Sequence, residues 1–296
     1  MCFKNVQFIA DLSEHDLWTQ FVSMRYPKWS TSCLLKYLHL PVLDSLLIYP
    51  SAAIDEVNRA LQRFMLVDKL DRILIRTDSG RESGDYIRGG NSLDFDRAIK
   101  MTMKMLRIGR AVVAMTPTNR FNNKLTVNLG LDAEGFFHIE LLGPGFDLSD
   151  LNRGLVSPEL SFTISQINWM FYEKPHPLFV KQHSNCENLA EMRLQRLHRI
   201  ASELLPAIGI DSKNNTESFA KNWLLENGFN ALFREDRIQV SWKDIINWYE
   251  IAFLVGRTYR RYSPWKHLVI SSSDLGNGRG TTYWDVINPE KKFDLP

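Results

Sequence analysis

Cysteine is scarce in this chain of 296 residues: Cys2, Cys33 and Cys186 are three scattered thiols, odd in number and without the paired spacing of a structural zinc site. A disulfide scaffold is thereby excluded, and a reducing compartment is the simpler expectation. Long apolar runs are also missing. None approaches the roughly 20 residues needed to span a bilayer, and the opening stretch is broken at once by Asp11 and Glu14, so a cytoplasmic protein with no membrane partner is expected. Charge of one sign is the third absence. With 36 basic against 34 acidic side chains the formal charge is +2, which gives no global attraction to nucleic acid or anionic lipid. Neither a Gly-x-Ser-x-Gly elbow nor a His-Glu-x-x-His pair occurs, and His176 and His183 flank Lys181 without useful spacing, so hydrolase readings have little support.

What is present is enough apolar material, 44% of the chain, for a substantial core in one large domain or two lobes. Cys33, Leu34, Tyr37 and Leu38 recur at helical spacing between Ser30 and Leu40, with Ser30 or Thr31 as N-cap and Pro41 beyond the end. The run Val42 to Tyr49 reads as a strand, and Ser51 with Asp55 and Glu56 opens a helix carrying Ile54, Val57, Leu61 and Phe64. Arg72 to Arg76 is a compact strand, followed from Thr77 to Ser92 by a polar, glycine-rich loop with almost nothing to bury. Asp94 to Leu106 is an amphipathic helix that Gly109 stops before the strand Ala111 to Met115. Two further strands, Leu125 to Leu129 and Phe136 to Leu142, are joined by Asp132-Ala-Glu-Gly135, which is hairpin chemistry.

The second half reads as more helical, with helices at Leu189 to Leu205, Ser218 to Asn227 and Trp242 to Arg261, then strands at His267 to Ser271 and Thr281 to Ile287. Arg193, Arg196 and Arg199 stud the first of these helices, where the ordinary reading is a solvated face. The eight tryptophans read as core and interlobe packing rather than as a base-stacking surface.

One constellation carries chemistry. Arg76 ends a strand, Asp78 and Ser79 follow it, and Gly89, Gly90, Asn91 and Ser92 close the loop. A cation with close-approaching glycine amides is what phosphate oxygens require. A second dense run, Gly143-Pro-Gly-Phe-Asp147 with Ser149, Asp150, Asn152 and Arg153, either binds an acceptor substrate or satisfies its own loop amides.

The order of elements from Tyr26 to Gly154 resembles the ATP-grasp superfamily. Pro27-Lys-Trp-Ser-Thr31 before a short helix, then Leu38-His-Leu-Pro-Val42, is similar to that family's first segment, with His39 where a glycine is usual. The resemblance implies an α+β fold of two lobes with mixed or antiparallel sheets enclosing a nucleotide cleft, and helical additions in the C-terminal half. It implies an N-terminal lobe over 1–110 and a C-terminal lobe over 111–296. Lys28 and Arg76 would face phosphate oxygens, and Met115 and Thr116 would lie nearest the adenine. The family's Glu-x-Asn metal motif has no counterpart at a suitable place, and Glu140 and Asp285 are the carboxylates left for magnesium. Arg279, in Gly278-Arg-Gly280, would clamp a transferring phosphoryl group, with Arg153 as a second such cation.

The function so implied is that of an ATP-dependent ligase. It would use ATP and Mg2+ to activate the carboxylate of a small molecule or peptide as an acyl-phosphate for attack by an amine. Two rivals stand beside it: a non-catalytic nucleotide- or metabolite-binding protein of the same fold, and a nucleic-acid-binding module built on Arg193, Arg196, Arg199, Arg257, Arg260 and Arg261, against which the near-neutral charge counts. The sequence leaves oligomeric state open.

Overall fold

The computed structural model describes residues 3–78, 89–117, 125–131, 137–143, 157 and 160–164, and in the remaining part 233–235, 238–240, 244, 248, 251–252, 254–259, 268–274 and 281–287. The chain forms two compact units, Met1–Lys124 with Ser271–Pro296, and Leu125–Ile270. The expected α+β class holds, with antiparallel pairing wherever a strand register is defined. Among the described residues no helix is long and apolar enough to cross a membrane.

In the first unit the elements run β1 (Val6–Phe8), α1 (Glu14–Ser23), α2 (Pro27–Tyr37), β2 (Ser45–Ile48), α3 (Ile54–Val67), β3 (Ile73–Asp78), β4 (Gly90–Leu93), α4 (Phe95–Arg107) and β5 (Ala111–Met115). They build a five-stranded sheet of order β1-β2-β5-β3-β4. Because β2 and β3 each pair antiparallel with β5, they run parallel to one another, and α3 is the crossover between them. The strand that follows position 110 therefore sits at the centre of the sheet made by the residues before it.

Alternation along the strands separates two cores. Leu46, Ile48, Ile73, Ile75, Val112 and Ala114 pack against α3 and α4, whereas Leu47, Val113 and Met115 pack with Leu17, Trp29 and Cys33 from α1 and α2. Trp29, Leu34, Leu46 and Ile75 are fully buried, so the sheet is dry on both sides. This is why its strands read as continuous apolar runs rather than as alternating ones. Burial pushes the Cys33 thiol up, which leaves it a packing residue in the native protein.

Several helix boundaries differ from those the sequence predicts. Helix α2 begins at Pro27, with proline in the first turn, instead of at Ser30 or Thr31, both of which are buried. Helix α3 begins at Ile54 with Ala53 as N-cap, and Ser51 donates instead to Asn5 Oδ1 at 2.8 Å. The N-terminal segment holds an additional helix, α1, closed by a capping box in which Ser13 and Asp16 satisfy each other's backbone amides. The polar loop is also shorter than expected: Thr77 and Asp78 are buried on β3, and residues 90–93 form a strand. Helix α4 and its stop at Gly109, where φ is +75°, are as expected, and Asp94 proves to be its N-cap, accepting from the Arg97 amide.

Glu56 ties the start of α3 to the chain before β1. The Asn5 amide donates to its Oε1 at 2.8 Å and the Asn5 side chain to its Oε2 at 3.0 Å. Burial raises the carboxyl, but these donors, with the Lys4 amide and Arg59, outweigh it and hold Glu56 below its ordinary value of 4.5. A depressed carboxylate contributes stability above its unfolded value and loses it as pH falls through the folded one. Glu56→Gln is therefore expected to flatten the acid limb of the stability profile below about pH 4.5, seen as urea midpoints that fall less steeply than wild type between about pH 5 and pH 3.

The second sheet has the order β12-β11-β6-β7-β8, from β6 (Leu125–Leu131), β7 (Phe137–Leu142), β8 (Leu160–Ile164), β11 (Leu268–Asp274) and β12 (Thr281–Ile287). The expected hairpin pairs β6 with β7, Asn128 opposite Glu140. A two-stranded pair, β9 (Phe233–Glu235) with β10 (Ile238–Val240), and a helical run at 254–259 complete the described chain. The helices read at Leu189 to Leu205 and Ser218 to Asn227 lie outside the described residues.

Candidate functional site

The C-terminal end of β3 is where the sequence candidates meet. Ile73 and Ile75 point to the α3–α4 core, so alternation puts Leu74, Arg76 and Asp78 on the side of α2. The Asp78 carboxylate, 3% exposed, accepts from the Trp29 amide at 2.9 Å. That amide belongs to the first turn of α2, whose N-cap Tyr26 makes no side-chain cap, so an acid on a strand 49 positions away closes the helix end. One residue earlier, Lys28 Nζ donates to the Thr77 carbonyl at 2.6 Å. Lys28, Arg76 and Asp78 are thus gathered on two adjoining elements, with Lys28 and Arg76 half-buried.

Asp78→Ala removes that cap. Its expected cost is about 2 kcal/mol, because a charge-assisted bond is lost and a buried amide is orphaned. Denaturant unfolding of the full chain reads the change, and a midpoint equal to wild type would mean that α2 is held by packing alone.

The glycines close the same end from the other side. A Cβ on Gly89 would lie 2.0 Å from the Ile75 carbonyl oxygen and 3.2 Å from Arg76 Cα, so only glycine lets the returning chain lie on β3. Gly90 pairs with Ile75, and a bulge separates that pair from Ile73–Leu93. Asn91 and Ser92 are exposed, and Ser92 takes a left-handed backbone at φ 57°. Arg76, Gly89 and Gly90 are therefore immediate neighbours, while Ser79 lies outside the described residues.

Met115 and Thr116 stand at the other end. Met115 pairs with Leu74 and is 1% exposed inside the α1–α2 core, and the Thr116 amide donates to the Asp44 carbonyl at 3.1 Å. Four residues of strand, about 13 Å, separate this end of β3 from Asp78. Glu140 is half-buried on β7, where it accepts from Asn128 Nδ2 at 3.1 Å. Asp285 is on β12, and its side chain, like Arg153 and Arg279, lies outside the described residues. Among the described residues no three of His, Cys, Asp and Glu group as metal ligands.

Asn128 is a residue the sequence reading passed over. The signal was available: Thr126 and Asn128 interrupt the apolar run of β6 at a period of two, which marks a polar face.

No family model matches the chain, and no curated protein does. Among solved structures it is similar to the D-cycloserine synthetase DcsG, at 9% identity and a TM-score of 0.38, over 90% of this chain and 63% of that one. It is also similar to the macrocyclase MdnC bound with precursor peptide MdnA from Microcystis aeruginosa MRC, at 7% identity and a TM-score of 0.36, over 91% and 54%. The chain spans less than two thirds of the length of either structure. Likeness at this level transfers no activity.

Proposed function

We propose that the protein is an ATP-dependent ligase-like enzyme that activates a carboxylate for attack by an amine. The observation that carries this reading is the convergence of Lys28, Arg76, Gly89 and Gly90 on one end of β3. Two cations beside glycine amides suit phosphate oxygens, and a base end near Met115 and Thr116, about 13 Å along the strand, suits an extended nucleotide. Since the Thr116 amide is already spent on Asp44, adenine would be met by other backbone groups near this position. The work of such a site is alignment and charge neutralisation, because phosphoryl transfer needs little covalent help from the protein.

Magnesium would arrive with the nucleotide. The fit is poor: one Glu140 oxygen is occupied by an amide donor, and among the described residues no three of His, Cys, Asp and Glu gather as ligands. No step is therefore routed through the ion. Arg279 and Arg153 remain the proposed clamps for a transferring phosphoryl group.

The test is ADP release from ATP and magnesium in the presence of a panel of carboxylic acids and amines. Turnover that depends on an added carboxylate supports the reading, and no nucleotide binding at all sinks it. A second reading, nucleotide binding without turnover, is favoured by the internal use of Lys28 and Asp78, which brace α2 against β3. It predicts ATP affinity with no ADP formed. Of the arginines in the nucleic-acid alternative, Arg257 is described and exposed.

A further inference from the structure

The hairpin β6–β7 has one dry face and one polar one. Val127, Leu129, Ile139 and Leu141 are fully buried on the first. The register pairs Asn128 with Glu140 and Gly130 with His138 on the second. There Glu140, His138 and Gly130 are partly exposed, while Asn128 is 7% exposed. A Cβ on Gly130 would meet His138 Cβ at 3.2 Å, so the glycine leaves room beside the Asn128–Glu140 pair.

The pair has an unanswered side. Asn128 Nδ2 donates to Glu140 Oε2, and its Oδ1 is buried with no hydrogen-bond partner among the described residues. A carboxylate accepts and does not donate, so it must be met by the amide nitrogen, and the amide oxygen is turned away as a consequence. What the pair offers a ligand is therefore acceptors alone, Asn128 Oδ1 and Glu140 Oε1, carrying a net negative charge. A buried acceptor left without a donor is destabilising, and a ligand that supplies the donor recovers that loss.

We propose that Asn128 and Glu140 form a receptor for a primary ammonium group, a binding site for an amine-bearing ligand on the β6–β7 hairpin. An ammonium brings three donors and one charge, and it is content with two protein acceptors plus water. Magnesium demands near-octahedral oxygen coordination, and this pair offers it few oxygens, one of them already shared with an N–H. The site serves an amine-bearing ligand whether or not ATP is turned over, so its failure and that of the ligase reading are separate events.

The side-chain amide resonances of Asn128 in the isotope-labelled full chain report on this directly. At constant ionic strength, n-butylammonium is expected to shift them saturably, while n-butanol, the same length without the charge, leaves them in place. Glu140→Gln is expected to weaken the n-butylammonium response at least 10-fold, a loss of about 1.4 kcal/mol. The contrast between n-butylammonium and n-butanol uses wild-type protein alone and stands even if the variant does not fold. A saturable shift with magnesium and none with n-butylammonium would make this a metal site and overturn the proposal. Equal shifts with both organic probes, or none with either, would reduce the pair to a cross-strand brace.

Discussion

Gly89→Ala is expected to destabilise the first unit by about 3 kcal/mol, the upper part of the range for forcing extra atoms into a packed place. The reason is the 2.0 Å approach of the added Cβ to the Ile75 carbonyl oxygen. That atom belongs to a central stretch of β3, paired on one side with β5 and on the other with β4, and it cannot move without breaking a ladder. Relief requires the returning chain to lift off β3, which separates Gly89 and Gly90 from Arg76. Gly109→Ala is the matched control. Gly109 sits at φ +75° with nothing within 4 Å of its added Cβ, so only the left-handed backbone is penalised, at roughly 1–2 kcal/mol. Urea unfolding with a common slope separates the two, and equal midpoints for both variants would show that β4 detaches freely.

On the proposed reading, Arg76→Ala is expected to weaken ATP binding by about 2 to 3 kcal/mol, or roughly 30- to 150-fold in Kd, since the proposed charge-assisted contact to phosphate would be lost from a half-buried position. Arg76→Lys should recover part of that loss through its charge but not through the planar fork of donors. Calorimetric titration with ATP in parallel with urea unfolding distinguishes the roles. If the alanine variant binds ATP as wild type does and loses only stability, Arg76 is a brace in the sheet and the nucleotide reading loses its central cation.

The first unit was legible because its signals are local. The β3 and β5 strands are short continuous apolar runs, and α4 carries its own N-cap and glycine stop. In the second unit the β6–β7 hairpin was legible for the same reason, since it alternates at a period of two. Helix starts were misplaced where the cap comes from elsewhere. Ser30 and Thr31 have the right chemistry for an N-cap but lie inside α2, because Pro27 opens the helix and Asp78 satisfies the Trp29 amide. A cap donated by a distant strand leaves no trace at the helix it closes.

The same division runs through the candidate site. Residue type and order alone offered Arg76 and a pair of glycines for anion chemistry and no metal motif of standard spacing, and Lys28 was added by the family resemblance. Only the tertiary structure decided that Gly89 lies against the Ile75–Arg76 backbone with no room for a Cβ, that Lys28 leans on Thr77, and that Asp78 is buried as a cap. It also decided that Asn128 turns its nitrogen to Glu140 and leaves its oxygen unanswered. The physical reason is that hydrophobic periodicity and caps are written within a few residues, whereas pairings across a sheet depend on strand register, and register is set by the packing of the whole core.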